Sequence, residues 1–416
     1  MRQRVSLKIG KTLLVDGPAT VQVASGMVNV MGAVFSEGSW TKVRGFRRTP
    51  FYAEHSEASL IVEGAKYRVV EGSTIPGSWV EAAEKTGADD KGVIAVVGEA
   101  DSGKTSLATF LVNYYLNFQV EVGVVDADPG QNDLGIPGTV SAGVVNKGLS
   151  DLCHVKPEVI EFIGLTAPES EVEELKQAVA TAIRRLRSRG VEKIVLNTDG
   201  WVDSRGLDFK AELISIVKPS FVLSLLEGEK AMVFSRVVDP STRMLKVDKS
   251  PYVKRRTRMH RRMLRMLNYR RHFARSRLVR RVMRETGFLN HPFINGEPVP
   301  TPEELKGLGF NALETRRYMN TLYVKTKGET EEPVTLDVDG KRVIILGEGW
   351  EKGLLVGLGR EGRIIGIGII DSLSGDEIIV KTPLTAWFDT VKLGEIKLDA
   401  AFNEKNFYWK PLRQRD

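Results

Sequence analysis

The chain has 416 residues, 42% of them hydrophobic, and its 60 Lys and Arg against 53 Asp and Glu give a formal net charge of +7. This length and apolar fraction exclude a disordered chain and predict several globular domains. A single cysteine, Cys153, excludes an intramolecular disulfide, and no signal-peptide core or membrane-spanning run is present, so we expect a cytoplasmic protein without membrane contact.

The first 84 residues contain short β-rich runs separated by Gly, Pro and Ser. Such alternation of strand and turn residues predicts a small antiparallel domain over residues 1–84. The polar segment Glu84–Lys91 at its end is predicted to be a linker. The predicted strands are Thr12–Val15, Thr20–Val23, Met27–Val30 and Ser59–Val62.

From Gly92 onward, short and wholly apolar strands alternate with helical patterns. Continuous apolar strands joined by helices are typical of a parallel sheet with helices on both faces. We therefore predict an α/β P-loop domain over residues 85–297. Its predicted elements are Val93–Val97, Lys104–Leu116, Val120–Val125, Glu169–Arg189, Lys193–Leu196 and Phe221–Leu226.

The positive charge is concentrated in one segment, residues 254–284, which contains 14 Lys and Arg and no Asp or Glu. Subtracting these 14 charges from +7 leaves −7 for the rest of the chain. A positive charge so localised predicts an anionic partner met at one place, such as nucleic acid or polyphosphate. We expect one basic helix here. Beyond it, strands bounded by Gly or Asp predict a C-terminal β-rich domain over residues 298–416.

The segment Gly98–Thr105 fits the pattern G-x-x-x-x-G-K-[ST] and lies between an apolar strand and a helix. This is the sequence and context of a P-loop, in which backbone N–H groups bind phosphate at a helix N-terminus. Lys104 can reach the β- and γ-phosphates of ATP, and the Thr105 hydroxyl can bind Mg²⁺. The residues predicted to surround the phosphates are Gly98, Glu99, Ala100, Asp101, Ser102, Gly103, Lys104, Thr105 and Ser106.

Two carboxylates, Asp126 and Asp128, follow the next apolar strand. The carboxyl ends of parallel strands are where an α/β sheet binds its ligands. We expect one carboxylate near the metal and the other to accept a proton from an attacking hydroxyl. A P-loop with two carboxylates indicates a nucleotide hydrolase or kinase. The sequence has no obvious N-K-x-D motif, which selects guanine, and this argues against a GTPase.

The P-loop and three further runs together resemble the motifs of the polynucleotide 5′-hydroxyl kinase family. This family comprises the RNA kinases of pre-mRNA cleavage, tRNA splicing and ribosomal RNA processing, with their archaeal relatives. A C-terminal pattern, Gly357-Leu358 through Gly366-Ile367-Gly368 to Thr382-Pro383, resembles the family's β domain. The three runs are Asp128-Pro129-Gly130-Gln131 with Gly135–Thr139, Asn197–Val202, and the Arg-rich stretch from Arg256 to Phe273.

The resemblance implies ATP and Mg²⁺, or another divalent cation, as cofactors and RNA 5′-hydroxyl ends as substrate. It assigns Lys104 and Thr105 to ATP and the metal, Asp126 to the metal, and Asp128 to the general base. Arg256 and Arg261 become catalytic lid arginines. Substrate contacts are assigned to Gln131, Thr198, Trp201 and Arg265, with Trp201 stacking on the terminal base.

Two other functions remain open from the sequence: a catalytically silent ATP-binding scaffold in an RNA-processing complex, and an unrelated P-loop ATPase. DNA is left open as a second acceptor. Trp201 could instead be a core aromatic residue. The basic helix could be a solvated helix that packs through Met259, Met263 and Met266, although like charges four residues apart destabilise a helix unless an anion joins them.

Overall fold

The computed structural model describes residues 2–64, 66–87, 91–306, 311–330 and 332–410. The chain forms two compact units. Their boundaries differ from the predicted three-domain division at residues 84 and 297, which stays a prediction. Unit 1 comprises Met1–Ile136, Val140–Glu161 and Glu171–Leu264, and unit 2 comprises Pro137–Thr139, Phe162–Ser170 and Arg265–Asp416.

Unit 1 begins with antiparallel strands, as predicted for this part of the chain. Every second residue is buried in strands such as β8, because strand side chains alternate between two faces. Val15, Val21, Phe51 and Leu60 lie in the core between two sheets, ordered β1-β8-β3-β6 and β5-β4-β7-β2-β9. The strands are β1 (Arg2–Leu7), β2 (Lys11–Asp16), β3 (Ala19–Ser25), β4 (Met27–Val30), β5 (Ala33–Ser36), β6 (Trp40–Val43), β7 (Arg48–Tyr52), β8 (Ala58–Glu63) and β9 (Lys66–Glu71).

The P-loop part of unit 1 is built on a sheet ordered β13-β12-β11-β14-β10-β15-β16. The pairs from β11 to β16 are parallel, as predicted, whereas β12 pairs with β11 in the antiparallel sense. The strands are β10 (Val93–Val97), β11 (Val122–Ala127), β12 (Thr139–Val145), β13 (Val159–Phe162), β14 (Lys193–Thr198), β15 (Phe221–Ser224) and β16 (Met244–Lys246).

Helices flank these strands, and one of them begins within the P-loop motif while another begins shortly after the Asn197–Val202 segment. The predicted helix after the P-loop is confirmed with the same bounds. The helices are α1 (Gly77–Thr86), α2 (Lys104–Leu116), α3 (Val172–Arg187), α4 (Ser204–Val217) and α5 (Gly228–Val237). The carboxyl ends of β10, β11 and β14 therefore lie at one edge of the sheet, close to the start of α2.

Helix α1 packs into the P-loop core rather than forming part of a linker. Trp79, Ala82 and Ala83 are buried there with residues of α2. The Lys193 ammonium donates to the carbonyls of Thr86 and Gly87 at the end of α1. Of the polar stretch 84–91 that the sequence suggested as a linker, residues 84–86 end this helix and residues 88–90 lie outside the described residues.

The basic segment is not one helix, which corrects the prediction. Helix α6 spans Arg258–Phe273, and the chain then forms strand β17 (Arg277–Val282). The buried residues of α6 include Leu264, Asn268 and Tyr269. Met259 is 65% exposed and Met263 38% exposed, whereas Met266 is partly buried, so two of the three methionines of the stripe face solvent.

The C-terminal part of unit 2 is β-rich, as predicted. One hydrophobic core there contains Trp350, Phe388, Phe407 and Trp409. Two sheets are ordered β17-β26-β25-β24-β27-β18, with β28 beside β27, and β19-β20-β21-β23-β22. The remaining elements are β18 (Gly287–Leu289), α7 (Pro292–Asn295), β19 (Glu297–Pro298), α8 (Glu303–Lys306), β20 (Ala312–Tyr318), β21 (Thr321–Thr326), β22 (Val334–Val338), β23 (Lys341–Gly347), β24 (Leu354–Arg360), β25 (Arg363–Ser374), β26 (Glu377–Thr382), β27 (Thr390–Leu398) and β28 (Glu404–Lys405).

Within the described ranges, no helix has the length and apolar character needed to cross a bilayer.

Candidate active site

The P-loop turns from β10 into α2 through two residues in the left-handed region, Asp101 with φ of 58° and Gly103 with φ of 100°. Gly103 is the residue before α2, and a Cβ there would lie 3.8 Å from the Trp79 ring and 3.3 Å from Val253. At Gly98 a Cβ would lie 2.6 Å from the Ser102 Oγ, too close for any larger residue. The motif glycines are therefore required by the geometry of the loop.

Lys104 is buried at the start of α2, and its Nζ donates to the Glu99 carbonyl over 2.7 Å. Burial lowers the pKa of Lys104 to about 8, although the nearby Asp128 carboxylate favours the charged form. An ammonium with few solvent partners is available to pair with phosphate oxygens. The predicted position of this lysine at the P-loop is thus found in the structure.

Glu99 points away from this ammonium toward two other lysines. Its carboxylate is 2.6 Å from the Lys230 Nζ and 3.5 Å from the Lys249 Nζ. The hydrogen bond from Lys230 is the main cause that holds the pKa of Glu99 below its ordinary value. Its side chain fixes the loop to the segments after β15 and β16. Ser106, the remaining predicted residue, lies in the first turn of α2.

Asp126 lies at the end of β11 and is fully buried. Its Oδ1 accepts from the Asn197 amide over 3.1 Å, and the same amide lies 3.5 Å from the Thr105 Oγ1. Burial, followed by the charges of Asp133 and Asp128, raises the pKa of Asp126 to about 7. Asn197 therefore joins the two predicted metal residues, a role that the sequence did not reveal.

Asp128 is half-buried at the start of the next loop. Its Oδ1 accepts from the backbone N–H groups of Gly130 and Gln131 over 3.0 and 2.9 Å. Burial and then the charge of Asp199 raise its pKa, while Lys104 opposes the shift. A carboxylate with a raised pKa is a better proton acceptor than an ordinary one. Gln131 places its amide 3.5 Å from the Arg261 carbonyl.

Two basic residues before and within α6 contact the P-loop directly. The Arg256 Nε lies 2.8 Å from Asp101 Oδ1, and an Arg261 guanidinium nitrogen lies 2.7 Å from Oδ2. Burial opposes the ionisation of Asp101, but these contacts hold its pKa below the ordinary value. The structure thus brings both predicted lid arginines to the P-loop. Among the described residues, the buried Arg256 Nη1 has no hydrogen-bond partner.

A cluster of buried charges links the N-terminal strands to the loop after β11. Arg44 contacts Asp133 and Asp151, each at 2.8 Å, and Arg47 contacts Asp133. Asp133 in turn donates its backbone N–H to Asp126 over 2.7 Å. Burial opposes the ionisation of Asp133, but the charges of Arg47 and Arg44 hold its pKa below the ordinary value. No sequence pattern indicated this cluster, because its members are far apart in the chain.

The N-T-D-G-W segment lies at the end of β14. Asp199 accepts from the buried Lys210 over 2.8 and 2.9 Å, and it also accepts from the Trp201 backbone N–H. A Cβ at Gly200 would lie 2.8 Å from the Ala100 backbone, so only glycine allows this approach to the P-loop. Trp201 is partly exposed and stacks on Phe209 with ring centroids 5.8 Å apart.

Thr198 and Arg265 each bind another group of the protein. Thr198 is 2% exposed and donates its hydroxyl to the Val96 carbonyl over 2.8 Å, so it connects two strands. Arg265 belongs to unit 2, where its guanidinium binds both Glu404 oxygens at 2.7 and 2.6 Å. The substrate contacts assigned to Thr198 and Arg265 stay predictions.

Sequence comparisons relate the chain to kinases of RNA ends. Residues 98–275 match the family model of the mRNA cleavage and polyadenylation factor CLP1 P-loop. A polyribonucleotide 5′-hydroxyl-kinase of Thermococcus kodakarensis is 28% identical over 68% of this chain and 80% of its own length. A Pyrococcus furiosus protein of the same name is 27% identical over 70% of this chain and 83% of its length. A CLP1 homolog of Dictyostelium discoideum is 28% identical over 40% of this chain and 41% of its own length.

Structural comparison extends the similarity to almost the whole chain. Clp1p, solved as a complex with residues 454–563 of Pcf11p, matches with a TM-score of 0.68 at 14% identity. The match covers 95% of this chain and 98% of Clp1p, so the two share the α/β P-loop domain and its flanking β-rich regions. The P-loop match and the kinase relatives together support a relation of this chain to the polynucleotide 5′-hydroxyl kinase family.

Proposed function

We propose that this protein is an ATP-dependent polynucleotide 5′-hydroxyl kinase that transfers the γ-phosphate of ATP to the 5′-OH end of RNA. The observation that carries the proposal is the meeting of three groups at one P-loop. These are the buried Lys104 ammonium, the Asp128 carboxylate with its raised pKa, and two arginines held by Asp101. The kinase names of the archaeal relatives support the choice of reaction.

In this proposal, the P-loop backbone and Lys104 bind the β- and γ-phosphates. Asp128, held by two loop N–H groups, accepts the proton of the 5′-hydroxyl as its oxygen attacks the γ-phosphorus. Arg256 and Arg261 pass from Asp101 to the transferring phosphoryl group, where their charge stabilises the transition state. The bond from the γ-phosphorus to the β–γ bridging oxygen breaks, and ADP leaves.

The residues present fit a Mg²⁺ ion. Thr105 and Asp126 offer hydroxyl and carboxylate oxygens, the ligands that Mg²⁺ prefers, and the nearby Asn197 Oδ1 is buried without a partner. Thr105 and Asp126 would hold the ion directly or through water. When bound, Mg²⁺ neutralises charge on the phosphates.

The acceptor end would lie near Trp201 and Gln131. Trp201 keeps part of its ring exposed at the carboxyl end of β14, and stacking on an aromatic ring binds any base without sequence preference. Such a contact suits an enzyme that reads the end of a chain. We also propose that this protein takes part in an RNA-processing complex. The basis is its similarity to Clp1p, whose solved structure is a complex with a segment of Pcf11p.

The experiment is a transfer assay with γ-labelled ATP, Mg²⁺ and a 5′-OH oligoribonucleotide, with the DNA of the same sequence in parallel. We expect labelled RNA from the wild-type protein and a loss of at least about 100-fold in Lys104→Ala. Lys91→Ala, a lysine with 71% of its side chain exposed, is the matched control and should be unchanged. Tight ATP and RNA binding without transfer would instead identify a silent scaffold. An unrelated ATPase would instead hydrolyse ATP at a rate that depends neither on RNA nor on the Trp201→Ala substitution.

A further inference from the structure

Strand β17 and the nearby Trp387 form a basic and aromatic surface that the proposed kinase reaction does not use. β17 is an edge strand, because within the described residues its sheet neighbour is β26 alone. Arg277 and Arg281 lie on the same face of the strand, since residues four apart in a strand point the same way. The Arg281 guanidinium lies 3.9 Å from the ring centroid of Trp387. Trp387 is 50% exposed, so part of its ring remains open to solvent.

The two arginines on this face differ from their neighbours in their partners. Arg280 and Arg284 pair with Glu377 and Asp376, at 3.5 and 2.7 Å. Arg277 and Arg281 donate to backbone carbonyls, of Thr385 and of Phe388 and Arg280. Within the described part of the chain, neither has a carboxylate within ion-pair distance. This face therefore carries positive charge that no acidic side chain compensates.

The mutual effect of these charges is visible at Arg281. Burial, followed by the charge of Arg277, lowers the pKa of Arg281 below its ordinary value. Two positive charges repel each other, and an anion that lies between them stabilises both. A phosphodiester is such an anion, and a guanidinium binds phosphate through two parallel N–H groups.

We propose that Arg277, Arg281 and Trp387 form a binding surface for single-stranded RNA, in which the arginines contact backbone phosphates and Trp387 stacks on a base. The proposal rests on the kinase function only for the identity of the nucleic acid. A phosphate contact beside an exposed aromatic ring is the arrangement by which proteins bind single strands without reading sequence. In duplex RNA the bases are already stacked on each other, so the aromatic face would find no partner.

The same strand is poorly suited to the main alternative, a protein partner that adds a strand to the sheet. Charged side chains on an edge strand oppose such pairing, and β17 carries Arg277, Arg280 and Arg281. A further arginine, Arg284, lies just beyond the strand in the following turn. RNA is therefore the occupant that the charge and the aromatic ring favour together.

The test measures binding without any need for kinase activity. Fluorescence anisotropy with a labelled single-stranded RNA that already carries a 5′-phosphate gives Kd at two salt concentrations. We expect Trp387→Ala to weaken binding about 10-fold. We expect Arg277→Ala with Arg281→Ala to lower the slope of log Kd against log salt by about 0.7 for each phosphate that is no longer neutralised. Trp387→Phe should retain most of the affinity.

Arg280→Ala is the matched control, because it removes an arginine of the same strand that Glu377 already neutralises. It should change the Kd by less than about 2-fold. Thermal unfolding of each variant separates weaker binding from failure to fold. Equal weakening by Arg280→Ala, or unchanged RNA binding in the correctly folded Trp387→Ala and double arginine variants, would overturn the proposal. Loss of binding to a partner protein with RNA binding intact would do the same.

The kinase assay gives an independent readout. With a 5′-OH dinucleotide, which is too short to extend beyond the active site, Trp387→Ala should be as active as the wild type. With a 5′-OH RNA of about 20 nucleotides, the same variant should show a raised KM and an unchanged kcat, since only ground-state binding is weakened. If the wild-type protein transfers no phosphate, the proposed function fails, while the anisotropy result still decides on the surface.

Discussion

The half-buried Asp128 combines a fixed side-chain orientation with a raised pKa. Backbone N–H groups of the following turn fix its Oδ1, while burial and the charge of Asp199 raise its pKa. The first fixes the direction of the oxygen, and the second makes the oxygen more basic. Both are required of a general base in an enzyme that works near neutral pH.

Replacement of Asp128 by Asn should therefore separate position from basicity. The amide oxygen can still accept from the Gly130 and Gln131 N–H groups, so the turn should persist. We expect kcat to fall about 100- to 10,000-fold with little change in the KM for ATP. Steady-state kinetics with RNA and ATP varied separately measures this. An Asp128→Asn enzyme with more than half of the wild-type kcat would rule out the role of Asp128 as base.

Arg47 should influence the same reaction without touching the substrate. It supports Asp133, whose N–H binds the Asp126 carboxylate, so its removal releases a residue that positions the predicted metal ligand. For Arg47→Ala we expect the free energy of unfolding to fall by about 3–5 kcal/mol, because a buried carboxylate is left without one of its partners. We also expect kcat to fall about 10-fold.

Denaturant unfolding and single-turnover kinetics measure these two effects. Addition of Asp133→Asn to Arg47→Ala removes the stranded charge and should restore part of the stability. Arg48→Ala, which removes the neighbouring and more exposed pair with Asp16, is the control and should cost only about 1 kcal/mol. No recovery in the double variant would contradict the proposed electrostatic link.

At the residue scale, the motif positions were predictable and their partners were not. Lys104, Asp126 and Asp128 follow from local patterns of strand, glycine and carboxylate. Asn197 and Gly200 were visible within a motif, but their contacts with Asp126 and Ala100 depend on the pairing of strands far apart in the chain. The burial of Thr198 could not be predicted, because the sequence does not show which face of β14 points to the site.

At the scale of elements, the basic segment shows where charge misleads. The 14 Lys and Arg of residues 254–284 were predicted to lie in one helix. The structure ends the helix at Phe273, and the run Arg-Leu-Val-Arg-Arg-Val that follows forms β17 because its β-branched residues pack on β26. By contrast, α2 was predicted without error, since a P-loop fixes where its helix begins.

Helix α6 should also give the protein a sensitivity to acid. Burial, followed by the charge of Arg271, lowers the pKa of His272 to about 4 from an ordinary value of 6.5. A lowered pKa means that the unfolded state binds the proton more readily. The contribution of neutral His272 to stability is thus complete above pH 6.5 and is lost as the pH falls toward 4.

We expect His272→Gln to reduce the loss of stability between pH 7 and pH 4 by on the order of 1–3 kcal/mol. Chemical denaturation at a series of pH values measures the difference. His55→Gln is the control, because 81% of the His55 side chain is exposed and its removal should leave the pH profile unchanged. Parallel profiles for wild type and His272→Gln would contradict this prediction.

At the scale of the whole molecule, the N-terminal strands and the P-loop core belong to one compact unit. The sequence suggested a division near residue 84, because short strands separated by turn residues there give way to apolar strands that alternate with helices. Side chains cross that point: Arg44 and Arg47 neutralise Asp133 and Asp151, and α1 packs on α2. Interactions of this kind do not show in composition, so the sequence could not reveal that the two parts depend on each other.

A fragment that begins at residue 85 should therefore fail to fold. It would lack the two arginines and most of α1, leaving buried carboxylates uncompensated and the α2 face exposed. Expression of residues 85–416 beside the full chain, with circular dichroism and gel filtration, tests this. A fragment with a cooperative thermal transition within a few degrees of the full chain would show that the N-terminal strands are dispensable.

The contact of Trp79 with the P-loop provides a way to observe the loop directly. The indole is 1% exposed, donates to the Asp248 carbonyl, and lies against Gly103 at the start of α2. Its emission should respond when phosphate groups change the electric field at that helix terminus. Of the six tryptophans in the chain, it is the one at Gly103, so the difference between wild type and Trp79→Phe isolates its signal. Intrinsic fluorescence can therefore follow nucleotide binding in real time without a label.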